Sequence, residues 1–585
     1  MSAPEPSLNS GQPGGSRFEW KLFLLLLLTV IVVFHPVLKG ELLDWDDDIN
    51  ISRNPHLKGL NWAQVKWAFT DTTYMWRYQP LGWITWLVIY EAFGLEPFFY
   101  HLTVLLFHAA NAGLVFLLLR RLLLLTTRTA APAPGALLIC AAIASAVWAV
   151  HPMRVETTAW AVEMVYVQAL FFFLMSLLAY LKAFGVEGVP RRARYYWLAV
   201  ASFAASLFSF PLALGGLVVF CILDVIPLRR LNMDPHTWWR VPIRGVWLEK
   251  IPFLIVTLAA TGANLYVRAH NTGTWAKPVS LEEFGLVPRV MQAFFIWAYY
   301  VWRPWLPVNL TPASAQLIDF RPLEWPFVMS AIGVVGLTAG LFFLRRRWPS
   351  AHAIWMCYLA LLVPVLGLTE HPHFPADRYS LVVSIGWSVL AAGWFWKLWP
   401  SVRRRRLALT VAGVMIALLG VMSYRQTFIW RTNGSLFNHI IARLGDDPHR
   451  TGIYFLLGNT YLRQGENTKA VEAYRRAIEI SPKLAQGHNL LGDALAASGE
   501  LNGAIVSYRE ALRLDPGLVA VLNDLGVACA RQGQLDLAVE QFAEVLHRDP
   551  QNLSAIRNMI QALTLQGKTN EASAYVDRAD SLQDR

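Results

Sequence analysis

About eleven runs of apolar residues are each long enough to cross, or nearly cross, a bilayer, and they decide what this chain can fold into. They fall at about 21–38, 100–119, 136–150, 158–182, 195–209, 212–227, 251–268, 326–344, 351–369, 378–399 and 407–424. The expectation is an all-α, polytopic transmembrane helical bundle. Composition agrees, since 55% of the 585 residues are hydrophobic, 16% are charged and the mean hydropathy is +0.37. The net charge of +11 could suggest nucleic acid, but the basic residues sit in short clusters between apolar runs, as topology requires, and no nucleic-acid partner is expected. Cys140, Cys221 and Cys357 lie inside apolar runs and Cys529 in a repeat helix, which argues against a disulfide framework or a cysteine metal site.

Arginine asymmetry orients the runs. Arg120, Arg121 and Arg128, then Arg191, Arg192 and Arg194, then Arg229, Arg230, Arg240 and Arg244, then Arg345–Arg347 and Arg403–Arg406 mark one side, which is read as cytoplasmic. The stretch 287–306 would break this alternation if it crossed. Its Trp297, Tyr299, Tyr300, Trp302 and Trp305 suit the headgroup level, so an interfacial or re-entrant course is expected. The crossings are then odd in number: residues 1–17, rich in Ser, Gly and Pro, form a disordered cytoplasmic tail, and the C-terminus lies outside. The membrane region covers 18–430, with an outer loop at 39–99 carrying Trp45, Trp62, Trp67, Trp76, Trp83 and Trp86, expected as amphipathic helices along the membrane. An inner bacterial membrane is the expected location.

Beyond the last run a second pattern begins. Pro448, Pro482, Pro516 and Pro550 recur every 34 residues, in phase with Gly458, Gly492 and Gly526, with Gly465, Gly499, Gly533 and Gly567, and with Ala470, Ala504, Ala538 and Ala572. Small residues stand where paired helices touch, and Tyr474, Tyr508 and Phe542 fill the large position. Residues 446–585 therefore resemble the tetratricopeptide-repeat family, an α-solenoid whose concave face usually binds an extended peptide. A purely structural or self-associating role is the alternative.

Glu41, Asp44, Asp46, Asp47 and Asp48 crowd into the outer loop after the first run. Clustered carboxylates at a membrane surface bind a cation, pair with a base or act as a general base, unless they form a solvated turn. A divalent cation here is possible in principle, but aspartates alone do not specify one, so the metal is unknown. His101 and His108 lie seven apart on one helix face, where a buried hydrogen-bonded pair is expected over a metal site for want of a third ligand. His371 and His373 read as a solvated turn, and Asp377 as an ion-pair partner of Arg378.

Here the residues carry a resemblance. Asp44-Trp45-Asp46-Asp47-Asp48, Arg53-Asn54-Pro55, Tyr78-Gln79-Pro80-Leu81, Phe93-Gly94-Leu95, His101-Leu102, His108, His151-Pro152, Glu156, Ala159-Trp160 and Asp377-Arg378-Tyr379 occur in the order found in the transmembrane and tetratricopeptide-repeat O-mannosyltransferases. These proteins join a GT-C glycosyltransferase body to such repeats. The resemblance implies transfer of a sugar from a polyprenyl-phosphate carrier to an acceptor hydroxyl on the outer face. It implies a catalytic carboxylate in the first outer loop, Asp46 first and Asp47 second. Groups for the carrier phosphate would be His151, Arg154, Glu156, Arg378 and Tyr379, with Asp44, Asn54, Tyr78 and His101 supporting the loop. Four places depart from the family pattern: Met164 and Tyr166 stand where an Arg-x-Asp pair is common, Phe210 replaces a Lys, and Val104 an Asn. A different donor or a degenerate site would follow.

The reading is a GT-C-like membrane enzyme, with protein O-glycosylation as the reaction and the repeats binding acceptor or partner protein. A non-catalytic membrane-anchored scaffold and a surface-polysaccharide ligase or polymerase are the rivals.

Overall fold

In the computed structural model the described residues are 13–126, 134–185, 192–233, 244–270, 278–313, 320–369 and 375–583, with 236, 238, 317 and 373 as isolated positions. Residues 1–12, most of the expected tail, and His371 lie outside them. The chain forms two compact units, Met1–Thr432 and Asn433–Arg585.

The first unit contains α1 (Pro13–Phe34), α2 (Trp62–Thr70), α3 (Pro80–Phe93), α4 (Pro97–Thr126), α5 (Pro134–Ala149), α6 (Val155–Ala159), α7 (Met164–Phe184), α8 (Ala193–Ser209), α9 (Gly216–Val225), α10 (Arg244–Leu248), α11 (Ile251–Ala269), α12 (Leu286–Trp302), α13 (Trp325–Phe343), α14 (Pro349–Leu362), α15 (Ser380–Leu398) and α16 (Val402–Thr427). No strand occurs among the described residues. Among the described residues, seven segments are long and apolar enough to cross a membrane: Arg17–Lys39, Pro97–Thr126, Ala161–Phe184, Arg244–Ala269, Trp325–Phe343, Asp377–Leu398 and Val402–Thr427. Gly135–Ala149 and Pro152–Ala159 meet the same criterion only as a pair, bent by 63°, which is the form of a broken span or a re-entrant loop.

The other three expected runs form helices that are short for a crossing. α8, α9 and α14 have 17, 10 and 14 residues. At 1.5 Å per residue they rise only roughly 15–25 Å, less than a hydrocarbon layer of about 30 Å. Pro211 and Pro364 set two of these limits, because proline lacks the N–H that would continue the ladder. α12 is not a detached surface helix. Trp297 Nε1 donates to the Leu359 carbonyl (3.3 Å), Tyr358 Oη to that of Trp297 (2.6 Å) and Tyr300 Oη to that of Ala376 (2.6 Å). Trp302 and Trp305 at its end are exposed.

Buried polar groups fasten the helices. Asn111 Nδ2 donates to Val167 O (2.8 Å), joining α4 to α7, and Ser206 Oγ to Ala169 O (2.8 Å), joining α8 to α7. Fully buried Asp224 on α9 accepts from Tyr180 Oη (2.8 Å) and Arg230 Nη1 (3.0 Å), and from Lys250 at the start of α11. That many donors on one carboxylate compensate the cost of burying it.

The second unit opens with α17 (Asn433–Leu444). The helix pairs follow as α18 (Arg450–Arg463) with α19 (Asn467–Ile480), α20 (Ala485–Ala497) with α21 (Leu501–Leu514), α22 (Val519–Arg531) with α23 (Leu535–Arg548), and α24 (Leu553–Leu565) with α25 (Thr569–Gln583). The sequence period has a direct steric cause. A Cβ on Gly458, Gly492 or Gly526 would meet the ring of Tyr474, Tyr508 or Phe542 within 2.4–2.5 Å, so the large residue of one helix occupies the space the glycine of its partner leaves. Gly492→Val is therefore expected to separate α20 from α21 and cost about 1–3 kcal/mol. Limited proteolysis of the full chain should show new cleavage confined to 485–518.

A second consequence concerns Asp493, whose Oδ1 accepts from Tyr508 Oη at 2.8 Å. Burial, with Asp524 adding repulsion, raises its carboxyl from 3.8 to about 6 against the effect of the Tyr508 bond. The folded repeat holds this proton more tightly than the unfolded chain. The associated stability is present below about pH 4 and is lost as pH rises through about 6. Hydrogen exchange of peptides within 485–531 should accelerate across that window after correction for the intrinsic rate, and Asp493→Asn should abolish the dependence.

Candidate active site

The outer loop turns sharply after Leu43. Asp46 takes a left-handed backbone conformation, φ 71°, which aspartate tolerates better than most residues, and the chain then closes a single wide helical turn over Asp48–Ser52. The turn gives the acidic residues different surroundings. Asp47 points inward and is fully buried: Oδ2 accepts from Leu43 N and Oδ1 from Val162 N, both at 2.8 Å. It thereby clamps the loop to the segment preceding α7. Burial pushes its carboxyl well above the usual range, opposed by those two N–H groups. Asp44 and Asp48 share Arg53, at 3.7 and 3.5 Å. The Asp46 carboxylate is half-buried and makes no hydrogen bond or ion pair among the described residues.

The expected supporting residues are all engaged. Asn54 donates to Asn50 O (3.0 Å) and accepts from His56 N (2.9 Å), Tyr78 Oη donates to Phe69 O (3.2 Å), and His101 Nε2 to Glu41 O (3.2 Å). His108 Nε2 donates to Ala149 O at 2.9 Å. Among the described residues no group of three or more His, Cys, Asp or Glu is placed to hold a metal ion. Asp47 spends both oxygens on backbone N–H groups, and Asp44 and Asp48 face a guanidinium, so the acidic loop does not fit a divalent cation.

Beside this loop, residues far apart in sequence form a buried charge cluster. Glu156, 3% exposed, accepts from Arg378 Nη1 through Oε1 (2.5 Å) and from Asp377 N through Oε2 (2.9 Å). Arg378 Nε also faces Glu163 Oε1 at 3.6 Å, leaving Glu163 Oε2 without a partner. Its guanidinium lies 5.6 Å from the Trp160 ring and 5.0 Å from that of Tyr379. Arg378 thus bridges two glutamates. Asp377, expected as its partner, leaves its carboxylate to the field of Arg154, Arg303 and Arg378.

Arg154 is buried, donates to Ser380 Oγ and keeps Nε and Nη1 without partners. His151 is fully used, since Nδ1 accepts from Met153 N (3.3 Å) and Nε2 donates to Pro304 O (2.9 Å). His373, expected in a solvated turn, is buried, donates to Val365 O (2.8 Å) and stacks on Tyr379 with ring centroids 5.8 Å apart.

Arg77 has no sequence signal of its own, and Gln79 stands only inside the Tyr78–Leu81 motif without a role. Arg77 makes no ion pair or hydrogen bond among the described residues, yet its charge acts on Glu163 and Tyr166. Gln79, 1% exposed, has neither amide atom partnered. The unusual residues also meet: the rings of Tyr166 and Phe210 lie 4.1 Å apart, and Tyr379 is 6.4 Å from Tyr166. Met164 and Val104 are core residues.

These features define a helical membrane protein with a buried charge cluster beside an acidic loop and a separate array of helix-pair repeats. The array matches the TPR repeat family model at residues 458–499 and 492–533. Over most of its length the chain is similar to the transmembrane and tetratricopeptide-repeat protein O-mannosyltransferases. It is 24% identical to Protein O-mannosyl-transferase Tmtc3 of Drosophila melanogaster, over 69% of this chain and 48% of the relative. The values are 23%, 77% and 54% for human TMTC1, and 26%, 76% and 64% for human TMTC4. The chain spans about half the length of the first of these relatives. A crystal structure of MamA is 22% identical over 26% of this chain and 89% of that one, with a TM-score of 0.25.

Proposed function

We propose that the chain is a GT-C-type membrane glycosyltransferase that moves a sugar from a polyprenyl-phosphate carrier to an acceptor hydroxyl, with protein O-glycosylation as the reaction class. The observation that carries the reading is the unpaired Asp46 carboxylate, close enough for its charge to act on Glu163 in the Glu156–Arg378–Glu163 cluster. The printed activity of the relatives supports it. Asp46 takes the proton from the acceptor hydroxyl as that oxygen attacks the anomeric carbon, and the bond from the anomeric carbon to the phosphate oxygen breaks, its electron pair leaving with the phosphate. Arg378 is already committed to two glutamates. Arg77, which is unpaired, and Arg154, with two unspent donors, are the groups that neutralise the departing phosphate.

The arginine clusters support a cytoplasmic N-terminus, with transfer on the outer face. The repeats bind acceptor or partner protein on that side, raising the local concentration of acceptor. A bacterial inner membrane remains the proposed location. Membranes containing the intact chain should transfer sugar from a supplied polyprenyl-phosphate donor to exported protein, and Arg77→Gln should weaken that transfer. Absence of transfer with every donor supplied to folded protein would sink the reading.

A further inference from the structure

A second feature of the membrane unit lies against a different arginine cluster. Between α12, α13 and α14 runs an apolar cleft of about 620 Å³, lined by Phe294, Val335, Ala339, Phe342, His352 and Met356 among others. This is within the roughly 300–1,000 Å³ typical of small-molecule sites. Val335, Phe342, Phe343 and Met356 are exposed along it, so it opens sideways to whatever surrounds the helices. The hydroxyl that lines it, that of Thr338, is spent: it donates to Val334 O (2.7 Å) and accepts from Trp355 Nε1 (2.9 Å).

One end of the cleft abuts the turn between α13 and α14, which carries Arg345, Arg346 and Arg347. The contact is direct. The Arg345 guanidinium stacks 4.2 Å from the centroid of the Phe342 ring, and that ring meets His352 edge-on at 6.2 Å. His352 Nδ1 is buried without a partner. From Trp325 to Thr369 the sequence contains no Asp or Glu, and none of the three arginines makes an ion pair among the described residues. Exposed Trp348 follows them, a residue suited to the headgroup level. Arg345, whose Nη1 also donates to the Phe342 carbonyl (2.8 Å), and the exposed Arg346 and Arg347 beside it in the turn give this end of the apolar cleft a positive charge that no ion pair among the described residues offsets, which complements a ligand with an anionic head and a hydrocarbon tail.

We propose that this cleft holds an acyl chain of an anionic phospholipid whose phosphate is bound by the Arg345–Arg347 turn. The arginines supply charge-assisted hydrogen bonds to the phosphate, and the cleft gives one chain a protein surface in place of bulk lipid. The site uses none of the residues assigned to sugar transfer and stands whether or not that reading does.

The test is native mass spectrometry of the full chain released from nanodiscs containing equal phosphatidylglycerol and phosphatidylcholine. Phosphatidylglycerol should be retained preferentially. Joint substitution of Arg345, Arg346 and Arg347 by Gln should lower the ratio of anionic to zwitterionic lipid by roughly tenfold or more, the scale of losing three arginines at an anionic surface. Ala339→Phe, which fills the cleft from its wall, should lower total retained lipid with the arginines intact. Replacing Arg403–Arg406 by Gln should leave the ratio unchanged. An equal loss there would make the effect one of overall charge and overturn the proposal, as would retention that merely follows bulk composition. Should the variants fail to fold, the unmodified chain still decides: its unfolding midpoint must be higher in phosphatidylglycerol than in phosphatidylcholine nanodiscs, and equal midpoints refute the site.

Discussion

Arg378→Ala is expected to destabilise the first unit by about 3–5 kcal/mol, the usual scale for removing one partner of a buried ion pair. The loss is large because Arg378 is shared. Without it Glu156 keeps only the Asp377 N–H, while Glu163, already short of a partner on Oε2, loses its cation as well. Two carboxylates would then lie buried side by side. Arg378→Lys should recover only part of the loss, since one ammonium cannot reproduce a fork that faces Glu156 through Nη1 and Glu163 through Nε. The measurement is the thermal midpoint of detergent-solubilised protein. Combining Arg378→Met with Glu156→Gln and Glu163→Gln should restore much of the stability, because neither glutamate position is then left as a buried charge without its cation. A single variant within about 1 kcal/mol of the parent would show that the cluster does not hold the fold.

This coupling marks the limit of what the sequence reveals. Apolar run length and a 34-residue period are local quantities, so the helical membrane region and the repeats could be read directly. Pro364 falls inside the expected run 351–369 and marks the end of α14 at Leu362, a break that hydropathy alone does not register. Glu156 and Arg378 are 222 residues apart, and no periodicity pairs them. Sequence singles out Arg378 as a site residue but offers as its ion-pair partner only the adjacent Asp377, the nearest opposite charge along the chain. In the structure the ion pairs of Arg378 go to Glu156 and Glu163 instead. His151, which the resemblance places at the carrier phosphate, spends Nδ1 on Met153 N in the break between α5 and α6 and Nε2 on Pro304 O beyond α12, 153 residues away, a pairing no local pattern shows. The rings of Tyr166 on α7 and Phe210 at the end of α8 lie 4.1 Å apart, so the two aromatic positions that the sequence offers separately pack on one another.

The sharpest prediction concerns two adjacent aspartates that sequence could rank but not separate. Asp46→Asn should leave folding intact, because asparagine accepts the left-handed conformation that φ 71° demands and no side-chain hydrogen bond is lost. Under the proposed mechanism it should lower sugar transfer by roughly 10²–10⁴-fold, the range for a general base. Asp47→Asn should do the reverse in kind. The new amide can accept from Leu43 N or from Val162 N, but its NH₂ must then confront the other N–H, leaving buried donors opposed at a cost of about 1–3 kcal/mol. Its transfer loss should follow the fraction of folded protein, and conditions that restore folding should restore activity. Transfer and thermal midpoint measured on both variants separate these roles. If Asp46→Asn retained full transfer while Asp47→Asn lost it at equal folding, the base would be the buried aspartate, and the loop clamp would have to open during turnover.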